Sequence, residues 1–379
     1  MKTVTVVGGG AAGLAASIAA AEAGARVTLH EAGQRAGKSI LVTGNGRCNL
    51  TNMRLSAGAY NAPDFVAPSL DAHGPEETRS WFERLGLLTR EGREGRVYPF
   101  SNTANSVADV LRLTCARLGV RIFVGSKVES LEGLEGDAVV VATGGGSTLL
   151  ASAGHALEPF SPVLCSLSCE MAPLRGLSGV RADALVSVYE GGGSRLRARE
   201  RGEVQFKDGG VSGVVVFDLS RFACPGDVLE LDLIPDVGEE ELSALLAGRL
   251  ARFGAASGKA PTWEQLLAGV FHSRLNGTVV RAAGEKLPEP AREEGLPGLA
   301  HACKHLRTAV LGPLDPKHAQ VTRGGARLSE FDAATLSSKL SGGLFAAGEA
   351  LDVDGPCGGY NLQWAWSSGR TAGERAARG

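Results

Sequence analysis

At 379 residues the chain is too long for one hydrophobic core, so two or three domains are expected. Hydrophobic residues make up 44% and charged residues 21%, with net charge −2 and pI near 6.4, which argues against wholesale nucleic-acid or anionic-membrane binding. Glycine, at 53 residues, is the outlier, and its clustering between apolar runs reads as close-approach turns rather than a flexible linker.

Lys2 followed by an Ala-rich run imitates a signal peptide, but Gly8, Gly9 and Gly10 break the run and a charged strand pattern follows. No stretch reaches the roughly 18 consecutive apolar residues of a membrane span. A soluble, cytoplasmic protein is expected. TVTVV (3–7) is a β-branched run without charge, as in a buried parallel strand. GGGAAG (8–13) follows, then LAASIAAAEAG (14–24) at helical period, then ARVTLHE (25–31) as a second strand. This is a βαβ unit with G-x-G-x-x-G at Gly8, Gly10 and Gly13. Gly8 permits the tight turn, Gly10 the approach of a pyrophosphate, and Gly13 close helix–strand packing. Phosphates would meet the unpaired amides of the helix N-terminus. Glu31, 18 residues beyond Gly13, sits where an acid meets a ribose 2′-hydroxyl, which favours FAD or NAD over NADP.

GKSILVTGNGRCNLTN (37–52) has neither helical nor strand period and reads as a long loop, a kind that tends to be functional. RIFVGSKV (121–128) and DAVVVATGGG (137–146) read as further strands, the latter ending in a Thr-Gly turn. From about 155, SPVLCSL, ALVSVYE, RLRARERGEVQF and GVVVFDLS read as strands of a small antiparallel sheet or barrel, with EGGGSR (190–195) as a hairpin tip. Because VVVFDLS reads as strand, GGVSG (209–213) does not open a second dinucleotide fold, and any nicotinamide would visit transiently. GEEELSALLAGRLARFG (238–254) reads as a helix stopping at its glycine, and TWEQLLAGV (262–270) opens on a capping box. These belong to a helical segment reaching about 304. AQVTRGGARLSEFD (319–332) returns to strand character. In GLFAAGEALDVDGPCGGYNLQWAWSSGRTAGE (343–374), a strand LFAA meets a glycine turn and a helix starts near Asn361. Strand, glycine turn and helix at both ends make physical sense if 1–150 and 340–379 form one domain around FAD.

VVGGGAAGLAAS, GKSILVTGNGRCNLTN, GRVYPFSNTANSV, VVVATGG and GLFAAGEALDVDGPCGGYNLQWAWSSG, in that order, resemble the BaiN/YhiN-like flavoproteins, also labelled the aminoacetone-oxidase family. GRCNLTN and GGYNLQWAWSSG are its specific elements. The resemblance implies an α/β, Rossmann-like FAD-binding domain with a central parallel sheet, split by an inserted β-barrel-like domain and a small helical domain. The expected bounds are 1–155 with 335–379, 156–236 with 305–334, and 237–304. By similarity, the 37–52 loop lies along FAD from pyrophosphate to ring. The loop departs from relatives that show three glycines before the Arg, but Asn tolerates left-handed backbone, so the turn should survive. The helical segment also looks short.

The cofactor-binding residues this implies begin with Gly8, Gly10, Ala12, Gly13, Glu31 and Ala32 around the adenosine diphosphate. Gly37, Lys38, Thr43, Gly46, Arg47, Cys48 and Asn49 come from the long loop. Val128, ending a strand, is placed by its backbone near adenine, and Thr143 and Gly144 follow from the next turn. Gly348, Glu349, Asp352, Gly359, Tyr360, Asn361 and Leu362 serve the flavin half.

Seven scattered cysteines without a CxxC make a poor disulfide or zinc framework. Packing is the favoured role of Cys48, while Tyr360 reads equally as proton donor or packing residue. Asp352 and Asp354 resemble a carboxylate pair, with Asp352 assigned to the ribityl hydroxyls. No metal site is expected: His301 and His305 read as a solvated helix face. Of Trp364 and Trp366, two apart, one is expected in the core, and Trp263 belongs to the helical segment. The leading expectation is a FAD-dependent oxidoreductase passing hydride between flavin and a small organic substrate, NAD(P)H serving transiently. Neither nucleic acid nor membrane is expected as a partner. The alternative is a non-catalytic FAD-binding redox or scaffold protein.

Overall fold

The computed structural model describes residues 1–191, 193–257, 259–284 and 287–379, with backbone alone at 254, 256 and 257. In order come β1 (Thr3–Val7), α1 (Ala11–Glu22), β2 (Arg26–Glu31), β3 (Thr51–Asn52), α2 (Pro63–Ala72) and α3 (Pro75–Leu85). Then follow β4 (Thr89–Glu91), β5 (Arg96–Pro99), α4 (Ala104–Arg117), β6 (Arg121–Val124), β7 (Ala138–Val141) and β8 (Leu157–Val163). The middle holds β9 (Leu167–Cys169), β10 (Arg181–Tyr189), β11 (Leu196–Lys207), β12 (Gly210–Ser212), α5 (Val214–Ser220) and β13 (Val228–Asp232). It continues through α6 (Glu239–Ser257), α7 (Trp263–Leu266), α8 (Ser273–Ala283), α9 (Leu296–Lys304) and β14 (Leu306–Pro313). The chain ends with β15 (Val321–Ala326), β16 (Leu344–Ala346) and α10 (Tyr360–Arg378). Two compact units result: 1–162 with 320–379, and 163–319. The expected β-rich and helical segments share the second unit, whereas 156–162 and 320–334 lie in the first.

The first unit is built on a parallel sheet in the order β16-β7-β1-β2-β6. β1 takes the centre because Val4, Val6 and Val7 give it apolar side chains on both faces, and all three are buried. Val6 pairs with Leu29 on one side and Val140 on the other, and Val140 pairs in turn with Phe345. The last strand of the chain thereby enters the same sheet as the first. α10 lies directly on α1. A Cβ at Gly369 would overlap the carbonyl oxygen of Ala12, and one at Gly373 that of Ala16, so only glycine permits this approach.

Four readings of the sequence need correction. Both Trp364 and Trp366 are fully buried, because α10 is covered on most sides and each indole N–H has a carbonyl to reach. RIFVGSKV does not run as a strand to Val128; β6 stops at Val124, where Gly125 turns the chain with φ 65°. GVVVFDLS is helix α5, not strand. Val215, Val216 and Leu219 share its buried face, and a Cβ at Gly213 would overlap the carbonyl of Glu203, so the chain leaves the sheet there. Packing here overrides β-branched propensity. α6 passes its Gly254 and ends at Ser257.

The second unit contains a closed antiparallel barrel, β10-β11-β12-β9-β14-β13, filled by Val186, Val188, Val204, Phe206, Leu229 and Leu231. β12 pairs antiparallel with β11 and β9, so GGVSG belongs to the barrel wall rather than to a parallel βαβ unit. The hairpin tip joins β10 and β11 with Glu190 N–H donating to Arg195 O; its Gly192 lies outside the described residues, as do 258, 285 and 286 of the helical segment. α7 carries the expected capping box, with Thr262 and Gln265 each accepting from the other's backbone N–H. Trp263 is buried in this unit and donates to Pro288 O.

Replacing Gly373 by Val should force α10 off α1 and lower stability by about 1–3 kcal/mol. A fall in the urea midpoint with unchanged slope checks this.

Candidate functional site

The residues assigned to the cofactor all lie in the first unit. At the end of β1, Gly8 turns with φ 103°, and a Cβ there would overlap the Ala142 carbonyl; a Cβ at Gly13 would overlap that of Gly8. Gly10 precedes α1 and Ala12 lies buried in its first turn. Among the described residues no side chain caps this helix, so its leading amides are available to an anion. Glu31 ends β2 and accepts from Gly9 N–H (2.7 Å) through one oxygen and Gly33 N–H (2.6 Å) through the other. Each oxygen keeps a lone pair for a ribose hydroxyl. Ala32 is exposed beside it. Gly125 and Ser126 donate to the carbonyls of Gly33 and Glu31, which carries the backbone toward Val128 along this same edge.

The 37–52 segment is more regular than its composition suggests. Gly37, with φ 80°, donates to Gly9 O (2.6 Å), fastening the segment to the glycine turn. Tight helical turns run from Lys38, the chain reverses at Thr43, Gly44 and Asn45, and β3 begins at Thr51. The segment shows no helical period in sequence because each piece is only a turn or two long. Asn45 takes the left-handed conformation expected of it, with φ 54°. Lys38, Gly46 and Arg47 are exposed, and Arg47 stacks its guanidinium over Tyr98 at 5.1 Å. Thr43 uses its hydroxyl on Ile40 O. Cys48 is sealed in the core, where burial pushes its thiol up to about 12, so packing is its role. Asn49 is buried, and its Oδ1 has no partner among the described residues.

On the segments assigned to the flavin half, Ala347 N–H donates to Val141 O and Gly348 N–H to Ser368 Oγ (2.9 Å). Gly348 has φ 65° and Gly144 φ 75°. Thr143, just before Gly144, leaves its buried hydroxyl unpartnered among the described residues. Glu349 retains some accessible surface, yet its carboxyl is crowded by Gly145 and accepts from the amides of Thr322 and Gly145. Burial pushes it up to about 7, with Asp354 adding in the same direction. Asp352, raised chiefly by burial, accepts from Gly324 N–H at 3.0 Å. Asp354 does not pair with it as a second carboxylate: it is fully buried in a two-pronged ion pair with Arg323, at 2.7 and 2.9 Å.

Gly359, with φ 105°, sits where a Cβ would lie 2.6 Å from the carbonyl oxygen of Thr51, so β3 and the start of α10 touch backbone to backbone. No side chain among the described residues caps α10. The Tyr360 carbonyl accepts from the Tyr60 hydroxyl, and the two rings lie 6.0 Å apart. Asn361 turns its side chain back onto Gly355 and Pro356, holding the turn before the helix, and Leu362 packs against the core. Sequence reading missed Gly9, Gly33, Gly145 and the Thr322–Gly324 stretch, which grip Glu31, Glu349 and Asp352 from the backbone. The adjacent glycines in VTRGGA were the available signal, since amides approach so closely only beside residues without a side chain.

The residues present fit FAD. Glycine cradles that a Cβ would fill, two uncapped helix N-termini and two unpartnered buried oxygens, Asn49 Oδ1 and Thr143 Oγ1, all occur on the segments assigned to it. Fold and site define a FAD-dependent oxidoreductase. Residues 2–375 match the model for the HI0933-like protein Rossmann domain, and the chain belongs to this family. It is 34% identical to the 3-dehydro-bile acid delta(4,6)-reductase of Clostridium scindens, across all of this chain and 99% of the relative. It is 27% identical to the ribosomal RNA dihydrouridine synthase of Escherichia coli, over 96% of this chain and 95% of that protein. The solved 3-ketosteroid delta1-dehydrogenase from Sterolibacterium denitrificans shares the fold, with TM-score 0.50 and 13% identity over the full length of both chains.

Glu31→Ala should weaken FAD binding about 10- to 100-fold, because two charge-assisted hydrogen bonds that shape the turn are lost. Fluorescence titration of the stripped protein measures it. Glu349 supplies a stability test. Its carboxyl ionises near 4.5 when unfolded and about 7 when folded, so stability is lost as pH rises through that interval and stays lost above it. His73, lowered to about 4 by burial and then Arg370, has the opposite sign: stability is lost as pH falls from 6.5 toward 4. In the FAD-free protein, Glu349→Gln should therefore gain on wild type between pH 5 and 8, the His73 contribution cancelling between them; urea midpoints at the two pH values check this.

Proposed function

We propose that this chain reduces a carbon–carbon double bond conjugated to a carbonyl in a small organic molecule, with NAD(P)H as the visiting electron donor. The observation that carries the reading is the end-to-end match to the 3-dehydro-bile acid delta(4,6)-reductase, whose name describes saturation of such a bond in a ring ketone. The dihydrouridine synthase acts on a polyanion, but the same bond type is involved: the reducible bond of uracil is also conjugated to a carbonyl. A net charge of −2 favours the small molecule, since RNA binding rests on cationic contacts to phosphate. The non-catalytic reading is not favoured.

Bound FAD would supply two-electron hydride chemistry, and the α-carbon of the substrate would need a proton from the protein's side. This chain's residues bind, orient and tune. Gly8, Gly10 and Gly13 with the α1 N-terminus would hold the phosphates, and Glu31 the adenosine ribose. Asn49, Thr143 and Asp352 offer acceptors along the ribityl and ring edge. The uncapped N-terminus of α10 favours negative charge there. The sealed Cys48 takes no part in proton traffic. Tyr360 is the candidate proton donor, its ring braced by Tyr60.

Anaerobic NADH or NADPH should bleach the flavin, and a 4-en-3-oxo steroid or cyclohexenone should restore its colour, yielding a ketone two hydrogens heavier by mass spectrometry. Restoration by a ribosomal RNA transcript alone, with dihydrouridine formed, would overturn the small-molecule reading; failure of every unsaturated acceptor would overturn the reaction class.

A further inference from the structure

The second unit brings together three metal-ligating side chains that lie far apart in sequence. Glu239, at the start of α6, places Oε1 3.3 Å from His301 Nδ1 and Oε2 3.5 Å from His305 Nε2. The two imidazoles, one on the last turn of α9 and one just past it, lie with centroids 4.4 Å apart and planes tilted by 32°. One ligand atom from each residue lies within 4.8 Å of the other two. The solvated-face reading of this His pair thus holds for the exposed His301 only; His305 is half covered and has carboxylates on both sides.

From this geometry we infer that Glu239, His301 and His305 form a site for a first-row divalent transition ion such as zinc, with the remaining coordination position open to water. Ligands 2.0–2.1 Å from a tetrahedral zinc lie about 3.3 Å from each other. The Glu239 oxygens lie 3.3 and 3.5 Å from the two imidazole nitrogens, one oxygen to each, and one atom from each residue already falls within 4.8 Å of the others, so side-chain rotation brings the set onto one ion. His305 turns Nε2 toward the site while its Nδ1 lies 3.1 Å from Oε2 of Glu230, a buried carboxylate that also pairs with Arg307 and that flanks the imidazole on the side away from the ion. Two imidazoles and one carboxylate suit zinc, cobalt or nickel better than calcium or magnesium.

The scaffold is fixed without the ion. Lys304 donates to the carbonyls of Ile234 and Val237 and pairs with Asp232 at 2.8 Å, which ties the approach to α6 onto the end of α9. Leu233 N–H reinforces this by donating to Cys303 O. The nearby cations are neutralised, Lys304 by Asp232 and Arg307 by Glu230, so neither opposes a divalent charge. The site lies outside every segment assigned to FAD, and bound metal would clamp α6 to α9.

The test uses the FAD-loaded full chain, treated with chelator and desalted, then titrated with zinc and separately with cobalt. One equivalent should bind with a Kd of about micromolar or tighter and raise the melting temperature. Cobalt should give visible bands at wavelengths beyond the flavin's. The double variant His301→Gln/His305→Gln, whose fold is checked by its metal-free melting temperature, should bind at least about 100-fold more weakly. Glu239→Gln should show a smaller loss of the same kind. Absence of stoichiometric binding, or equal affinity in the double variant, would overturn the site and leave ordinary His–Glu ion pairs.

Discussion

Gly369 and Gly373 let α10 lie against the bare backbone of α1, at Ala12 and Ala16. The arrangement of the first unit follows from that approach. α10 enters the layer occupied by the first helix of the chain, while β16 adds to the sheet through β7. Its tryptophans fasten two other segments: Trp364 donates to Gly348 O, and Trp366 to Leu50 O at the end of the long loop. One helix therefore sets the relative positions of the N-terminal glycine turn, the loop and the C-terminal turn. A side chain at either glycine would displace all three together.

Within this frame, backbone amides do most of the electrostatic work. Glu31, Glu349 and Asp352 each accept from glycine or neighbouring main-chain N–H groups rather than from lysine or arginine. Amide dipoles orient a carboxylate without cancelling its charge, so it still serves a ligand hydroxyl or a proton. The contrasting case is Asp354, whose two oxygens are both engaged by the Arg323 guanidinium and which braces the strand beside it. The second unit follows different physics. Its barrel closes on an apolar filling, and its helical segment is tied down by Lys304, which satisfies backbone carbonyls at a helix approach.

The sheet was legible because β1, β7 and β16 are short apolar runs next to glycine turns, the strongest local signal a parallel strand offers, and β2 follows the first helix and its glycine stop. Glu31 was legible from its distance to Gly13. α5 was not, since VVVFDLS has the composition of a strand and becomes a helix only because Gly213 leaves the barrel wall and Val215, Val216 and Leu219 have an apolar surface to cover. The burial of both Trp364 and Trp366 was equally hidden. Spacing says which way a side chain points along a helix, but not on how many sides that helix has neighbours.

What local sequence determined is the set of parts: a βαβ unit with its glycine turn and acid, a second glycine turn at the far end of the chain, and a capping box. Those properties reside in consecutive residues, through φ freedom, propensity and period. Tertiary structure alone decided that Glu239 meets His301 and His305, that Asp354 pairs with Arg323, and that Asn49 and Thr143 keep buried oxygens without a partner among the described residues. Each depends on which distant backbone occupies the neighbouring space, and only the packed chain specifies that.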